Sequence, residues 1–306
     1  MNRHLVTLVL PLAAASAPAI VGAQDTPTAG PSVISAAPAE PKQGTLFRVT
    51  YRPKHPVDSG VEIRGKAGDQ PLHFDRDPAG GFTALAPMPI AAKELTVEAW
   101  MVHGGEAMGR AEMSLTATPG DYPSEKLTVA PRYGAEPDAA TRARMARDSA
   151  KADSVGKGAQ ETPRLWEGPF IAPRPGRVTS SFGMERLFNG AVTSRHMGTD
   201  FAGAVGAPVQ ASNRGVVRIV DRFHIGGNVV YVDHGEGLVT AYLHLSEQNV
   251  AVGDTVQKGQ TIGKVGATGR VTGPHLHLIA RYGTVTVDPL SLFQITGNEE
   301  GVANGK

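Results

Sequence analysis

The chain has no cysteine. No disulfide can staple it, and no thiolate can hold a metal or attack a substrate. Charge of one sign is missing too. In 306 residues, 30 Lys and Arg stand against 29 Asp and Glu. That balance gives no electrostatic case for nucleic acid or an anionic membrane as partner. Aromatic residues make up only 6%, thin support for a glycan-binding module built on exposed rings. No His-Glu-x-x-His run occurs, so a glutamate base lying between two helical zinc ligands is excluded. Beyond the first 23 residues no stretch is apolar enough to span a membrane.

Those first 23 residues are distinct. Met1-Asn2-Arg3 is a short positive start, Leu5 to Ile20 is apolar and Ala-rich, and Val21-Gly22-Ala23 supplies small residues. The pattern predicts a secretory signal over 1–23, cleaved after Ala23. It places the mature chain in the periplasm or outside the cell, with no membrane span. No Cys stands at the cleavage point, which excludes a lipoprotein anchor. Residues 24–41 are rich in Ala, Pro, Ser and Thr and read as a flexible leader.

From residue 42 to 118 short alternating segments recur between Pro and Gly clusters, among them Leu46 to Tyr51 and Leu95 to Trp100. They predict a small β-sandwich-like accessory domain. Residues 119–163 read as a linker. Asp138 to Ala152 is its helical part, without a broad apolar stripe, and is expected to be exposed. Residues 164–296 are glycine-rich and read as β throughout, with turns at Gly226-Gly227, Gly235-Glu236-Gly237 and Gly253-Asp254. Residues 297–306 are expected to be a disordered tail. The fold class is therefore mainly β: a small N-terminal sandwich-like domain, a linker helix and a C-terminal antiparallel β domain.

The chemistry gathers in that last domain. His196 and Asp200 stand four apart with Gly198 between them, in a loop running into a strand. His244 lies in Tyr242-Leu243-His244-Leu245, and His275 and His277 flank Leu276. On a strand, residues two apart point the same way, so His275 and His277 share one side, about 7 Å apart along the chain. Four imidazoles and one carboxylate are more than the three protein ligands a catalytic zinc takes. The surplus matters, because metal-assisted hydrolysis also needs a proton acceptor and a group that steadies the oxyanion. Imidazole can do either.

These motifs resemble the lysostaphin-like (LytM-type) zinc metallopeptidases, which cut peptide bonds in bacterial peptidoglycan. The similar run covers roughly Pro173 to Pro289. It includes Thr179-Ser180-Ser181-Phe182-Gly183, His196-x-x-x-Asp200, Asp233-His234-Gly235, Tyr242-Leu243-His244-Leu245 and the segment Gly269 to His277. The resemblance implies a C-terminal antiparallel β peptidase domain holding one Zn2+ per chain through His196, Asp200 and His277. It implies that His244 and His275 are catalytic, positioning and deprotonating the attacking water and stabilising the tetrahedral intermediate. Which histidine does which stays open. The pattern departs at Leu278, where many relatives carry an aromatic residue, and that bears on substrate contacts there, not on the metal.

Other residues are weighed individually. Arg186 is read as a partner for a substrate carboxylate or a solvated charge, and Asn228 as a donor to substrate backbone. His234 is expected to make a structural hydrogen bond, and His224 to sit in a loop near the cleft. The expected function is an exported zinc metalloendopeptidase acting on stem or cross-link peptides, with peptidoglycan as partner. The competing reading is a non-catalytic cell-wall factor that binds and activates an amidase. The presence of all five donor positions argues against it.

Overall fold

A computed structural model describes residues 32–297, apart from 55, 56, 58, 59, 79 and 191. The expected signal segment, and the tail beyond Gly297, lie outside the described residues. Among the described residues no helix is long and apolar enough to cross a membrane.

Eight strands make up the N-terminal part: β1 (Val33–Ala37), β2 (Leu46–Arg52), β3 (Glu62–Ala67), β4 (Gln70–His73), β5 (Asp75–Arg76), β6 (Phe82–Pro87), β7 (Glu94–His103) and β8 (Glu106–Thr116). They form two four-stranded sheets, β1-β2-β6-β5 and β4-β3-β7-β8. Alternation drives the assembly. On β2, Phe47, Val49 and Tyr51 are fully buried, while Arg48 and Arg52 are exposed. Both sheets feed one apolar cluster through Phe47, Val49, Ala67, Leu72, Ala84 and Val97. One expectation is corrected here. Residues 33–37 do not behave as a flexible leader; β1 pairs with β2 along five residue pairs from Val33–Arg52 to Ala37–Arg48. Its backbone closes an edge that composition alone does not reveal.

The connecting segment holds β9 (Ser124–Leu127), α1 (Pro131–Gly134) and α2 (Ala139–Ala159). Asp138 caps α2 by accepting from the Thr141 backbone N–H at 2.7 Å. Up to Lys151 the helix is exposed or half-buried, as expected, but it runs on past Ala152, and one face of its last turns is buried. Ala152, Val155 and Ala159 pack on Ile219, Phe223, Val229, Tyr231, Val239, Ala241 and Leu243. The buried stripe is made of small residues, so it escapes a search for bulky apolar side chains. Gly156 explains why: a Cβ there would lie 2.0 Å from the Gly283 carbonyl oxygen.

The C-terminal part contains β10 (Val178–Ser180), β11 (Glu185–Phe188), β12 (Val192–Arg195), β13 (Thr199–Ala202), β14 (Pro208–Gln210), β15 (Gly215–Phe223), β16 (Gly227–Gly235), β17 (Leu238–Leu245), β18 (Glu247–Gln248), β19 (Thr255–Val256), β20 (Thr261–Lys264), β21 (His275–Tyr282), β22 (Val285–Val287) and α3 (Pro289–Thr296). Its centre is an antiparallel sheet in the order β10-β13-β21-β17-β16-β15-β19, with β22 beside β21. The inner face carries Val230, Val232, Leu238, Tyr242, Leu276, Leu278 and Ala280 into the main apolar cluster. The opposite face carries α2 at one end. Beside the sheet, β11 and β12 form a hairpin, and β9 adds to it in parallel, giving the order β12-β11-β9. The N-terminal sheets dock through Leu46 N–H to Ser291 Oγ (3.0 Å), Tyr282 O–H to the Pro71 carbonyl (2.9 Å) and Gln70 Nε2 to Thr284 Oγ1 (3.1 Å).

Candidate metal and catalytic centre

Register builds the site. On β13 and β21, Asp200 stands directly opposite His277, and Ala202 opposite His275. Cross-strand partners project to the same side, so Asp200, His275 and His277 share the face away from the inner core. Leu276 and Leu278 point the other way and are fully buried. Leu278 therefore touches the core and not a substrate, whatever residue relatives carry there.

His196 enters from the loop between β12 and β13. Its Nδ1–H donates to the Ser181 carbonyl at 2.7 Å, which turns Nε2 towards the carboxylate. His196 Nε2 lies 3.0 Å from Asp200 Oδ1 and 2.9 Å from His277 Nδ1, and His277 Nδ1 lies 2.7 Å from the same Oδ1. Gly198 permits this convergence. A Cβ at that position would lie 2.7 Å from Cε1 and Nε2 of His277 and 2.3 Å from the Leu278 carbonyl oxygen.

The three donors suit a zinc ion. They are two nitrogens and one oxygen, all buried and all within 4.8 Å of one another, which matches the borderline-soft donor set zinc takes in catalytic sites. Burial opposes ionisation of Asp200, but the hydrogen bonds and charges of His196 and His277 outweigh it and hold its carboxyl well below the usual range. Burial pushes His277 down, so its ring is neutral and able to bind a cation.

His244 arrives by a different route. Val230 pairs with Tyr242 and Asn228 with Leu245, so Leu243 and His244 together oppose the single Val229. This is a β-bulge, and His244 sits at φ +64° within it. Simple alternation after Tyr242 would send His244 into the inner core. The bulge turns it over to the side of the three donors and sends Leu245 inward instead. Its Nδ1–H donates to the Thr268 carbonyl at 2.8 Å. His275 is held in the same manner, its Nδ1–H donating to the Gly273 carbonyl at 2.8 Å. Both rings therefore present Nε2 to the site. Their centroids are 4.9 Å apart, and His244 is 5.7 Å from the His277 ring. His275 Nε2 is 3.7 Å from Asp200 Oδ1.

Two residues expected at the substrate are engaged elsewhere. Asn228 donates Nδ2 to the Leu245 carbonyl at 3.0 Å, and its backbone N–H donates to Thr268 Oγ1 at 3.0 Å. It closes the bulge that carries His244. Arg186 donates Nη2 to Asp200 Oδ2 at 2.8 Å and to Ser180 Oγ at 2.7 Å, and Nε to Glu125 Oε1 at 2.6 Å. A guanidinium committed to three oxygens is neither a solvated charge nor a vacant carboxylate receptor. Glu125 lies in a segment that carries no recognisable motif. His234 makes two hydrogen bonds on the inner face, to the Arg214 carbonyl and to Thr240 Oγ1, both at 2.8 Å. His224 lies in the turn between β15 and β16, its ring tilted 59° against Tyr133 with centroids 5.3 Å apart.

Comparison with known proteins agrees with this geometry. The description "Peptidase family M23" matches residues 194–289. Over 103 residues the chain is 46% identical to peptidoglycan DD-endopeptidase ShyC of Vibrio cholerae serotype O1, a match covering 33% of this chain and 24% of that protein. Over 117 residues it is 44% identical to DD-carboxypeptidase/endopeptidase Mpg of Neisseria meningitidis serogroup B, covering 38% and 27% respectively. The chain thus spans about a quarter of the length of these curated relatives. A crystal structure of a Pseudomonas aeruginosa protein assigned to peptidase M23 superposes with a TM-score of 0.62 at 24% identity, covering 83% of this chain and 95% of that one. At that identity it speaks for the fold, including the β-rich N-terminal part.

Proposed function

We propose, from the similarity of residues 194–289 to peptidase family M23, that this chain is an exported zinc endopeptidase cutting peptide cross-links of peptidoglycan. The observation that carries the reading is the meeting of His196 Nε2, Asp200 Oδ1 and His277 Nδ1 within 3.0 Å of one another, beside two further imidazoles whose Nε2 atoms face them. When bound, zinc supplies a Lewis acid that polarises a carbonyl and lowers the pKa of water.

The chain's own residues do the rest. His196, Asp200 and His277 would hold the ion. His244 and His275 are tied at Nδ1 to backbone carbonyls, which orients each ring with Nε2 towards the site. Burial, followed by the charges of His277 and His275, pushes the pKa of His244 well below its ordinary value. It is therefore a neutral acceptor at neutral pH, able to take a hydrogen bond from a water poised for attack. His275 is the more exposed of the pair, with 15% of its side chain accessible, and meets the substrate side. Once protonated, either ring donates through Nε2, to the oxyanion or to the departing amine.

The names of the relatives favour D,D-cross-links as the bond. The five donors in one place weigh against a non-catalytic amidase activator. The test is a digest of defined muropeptides by the purified, zinc-loaded chain, read by mass spectrometry. Conversion of D,D-cross-linked dimers to monomers is expected, abolished by chelation and restored by zinc. Stoichiometric zinc with every muropeptide left intact would overturn the reading and favour the activator.

A further inference from the structure

Glu125 lies in the connecting segment, outside residues 194–289, yet it stands two contacts from the metal ligands. The parallel register of β9 and β11 sets Glu125 directly opposite Arg186. Arg186 donates Nε to Glu125 Oε1 at 2.6 Å and Nη2 to Asp200 Oδ2 at 2.8 Å. Asp200 then offers its other oxygen, Oδ1, to His196 and His277. The three side chains are largely enclosed, with 22%, 14% and 7% accessible for Glu125, Arg186 and Asp200.

We infer that Arg186 and Glu125 are positioning residues for the metal, and that β9 is a working part of the site. This rests on the zinc reading above. A carboxylate that binds a cation through one oxygen must be stopped from rotating. Arg186 holds Oδ2, so Oδ1 stays aimed at the two imidazoles. Ser180 Oγ, 2.7 Å from the same Nη2, keeps the guanidinium in place. The arrangement has an electrostatic cost. A guanidinium beside Asp200 repels an arriving dication. Glu125 cancels that charge, so Arg186 can orient Asp200 without lowering the site's attraction for zinc. The connecting strand thereby supplies a negative charge that the family segment alone does not contain at this point. Undocking β9 would leave Arg186 uncompensated and loosen the ion.

The experiment measures zinc affinity of the full chain by competition with a chromophoric chelator, with melting of the metal-free protein as the check on folding. Glu125→Gln keeps a hydrogen-bond acceptor but removes the charge, and is expected to weaken zinc about 10-fold. Glu125→Asp restores the charge and is expected to recover most of that loss. In an Arg186→Gln background, Glu125→Gln should change affinity less than about twofold, since its effect passes through the guanidinium. Glu185→Gln, on the same hairpin and paired with Arg195, should leave zinc affinity unchanged. A Glu125→Gln protein that binds zinc like the wild type overturns the inference, and so does an equal loss from Glu125→Asp. Those outcomes count while the wild type holds one zinc. A wild-type chain that takes up no zinc overturns the functional reading itself, and this inference with it.

Discussion

The central sheet buries imidazoles on both faces and uses them in opposite ways. His234, on β16, follows Val230 and Val232 onto the inner face. Both its ring nitrogens are engaged, and the Phe170 ring meets it edge-on at 4.9 Å. His244, on β17, would reach that same face by alternation but is turned over by the bulge. Only one of its nitrogens has a backbone partner; the other faces His275 and His277. Both rings lie in depressed-pKa environments, with burial the leading cause in each. Depressed basicity is therefore no mark of chemistry by itself. What separates the two is whether burial leaves a nitrogen with work to do.

The comparison can be broken first on the metal side. His277→Ala removes one of the three donors. It is expected to abolish stoichiometric zinc and to cost turnover about 10³-fold or more, since a Lewis acid contributes several kcal/mol. Elemental analysis alongside muropeptide hydrolysis checks this, and full zinc occupancy in the variant would remove His277 from the ligand set. His244→Asn is the sharper variant. Asn tolerates the left-handed backbone required at φ +64°, so the bulge survives while the imidazole is lost. Zinc should be retained, with turnover down about 10²- to 10⁴-fold. Loss of zinc and activity together would make His244 a ligand or a structural residue, not an acid-base group.

Sequence pattern carried the candidate ligands further than it carried their surroundings. His275 and His277 are legible because strand alternation is local: two residues apart means one face. Asp200 is legible through its spacing from His196, although the cross-strand partnership with His277 is a matter of register. His244 is the instructive case. Judged by alternation it is an inner-face residue, and only the family motif suggests the role proposed for it. Its true direction depends on Leu243 and His244 opposing one residue of β16, which no single strand encodes. Arg186 failed for a related reason. An arginine in a hairpin gives no sign of whether it meets solvent, substrate or a neighbour. Its partners Glu125 and Asp200 lie 61 and 14 residues away. The packed extension of the linker helix beyond Ala152 went unread because a stripe of Ala, Gly and Val looks weakly apolar. Close packing on β15 to β17 nonetheless needs small residues there.

The inner-face member of the comparison gives a smaller effect with a different signature. His234→Leu fills a similar space but leaves the Arg214 carbonyl and Thr240 without the ring. A loss of about 2 kcal/mol of stability at pH 8 is expected, with zinc content and turnover at saturating substrate unchanged. The pH dependence sharpens this. Burial pushes the pKa of His234 down to about 4 in the folded chain, against about 6.5 when unfolded. Between those values the unfolded chain binds more protons, so stability rises with pH. The contribution is fully present above about pH 6.5 and disappears as pH falls through 4, reaching on the order of 3 kcal/mol. His234→Leu removes that titration. Urea unfolding of the metal-free proteins should therefore show the wild type ahead by about 2 kcal/mol at pH 8, the two curves crossing at about pH 5, and the variant ahead by about 1 kcal/mol at pH 4. Curves that stay parallel through that window would mean His234 titrates alike in both states, and that its enclosure on the inner face does not set its charge.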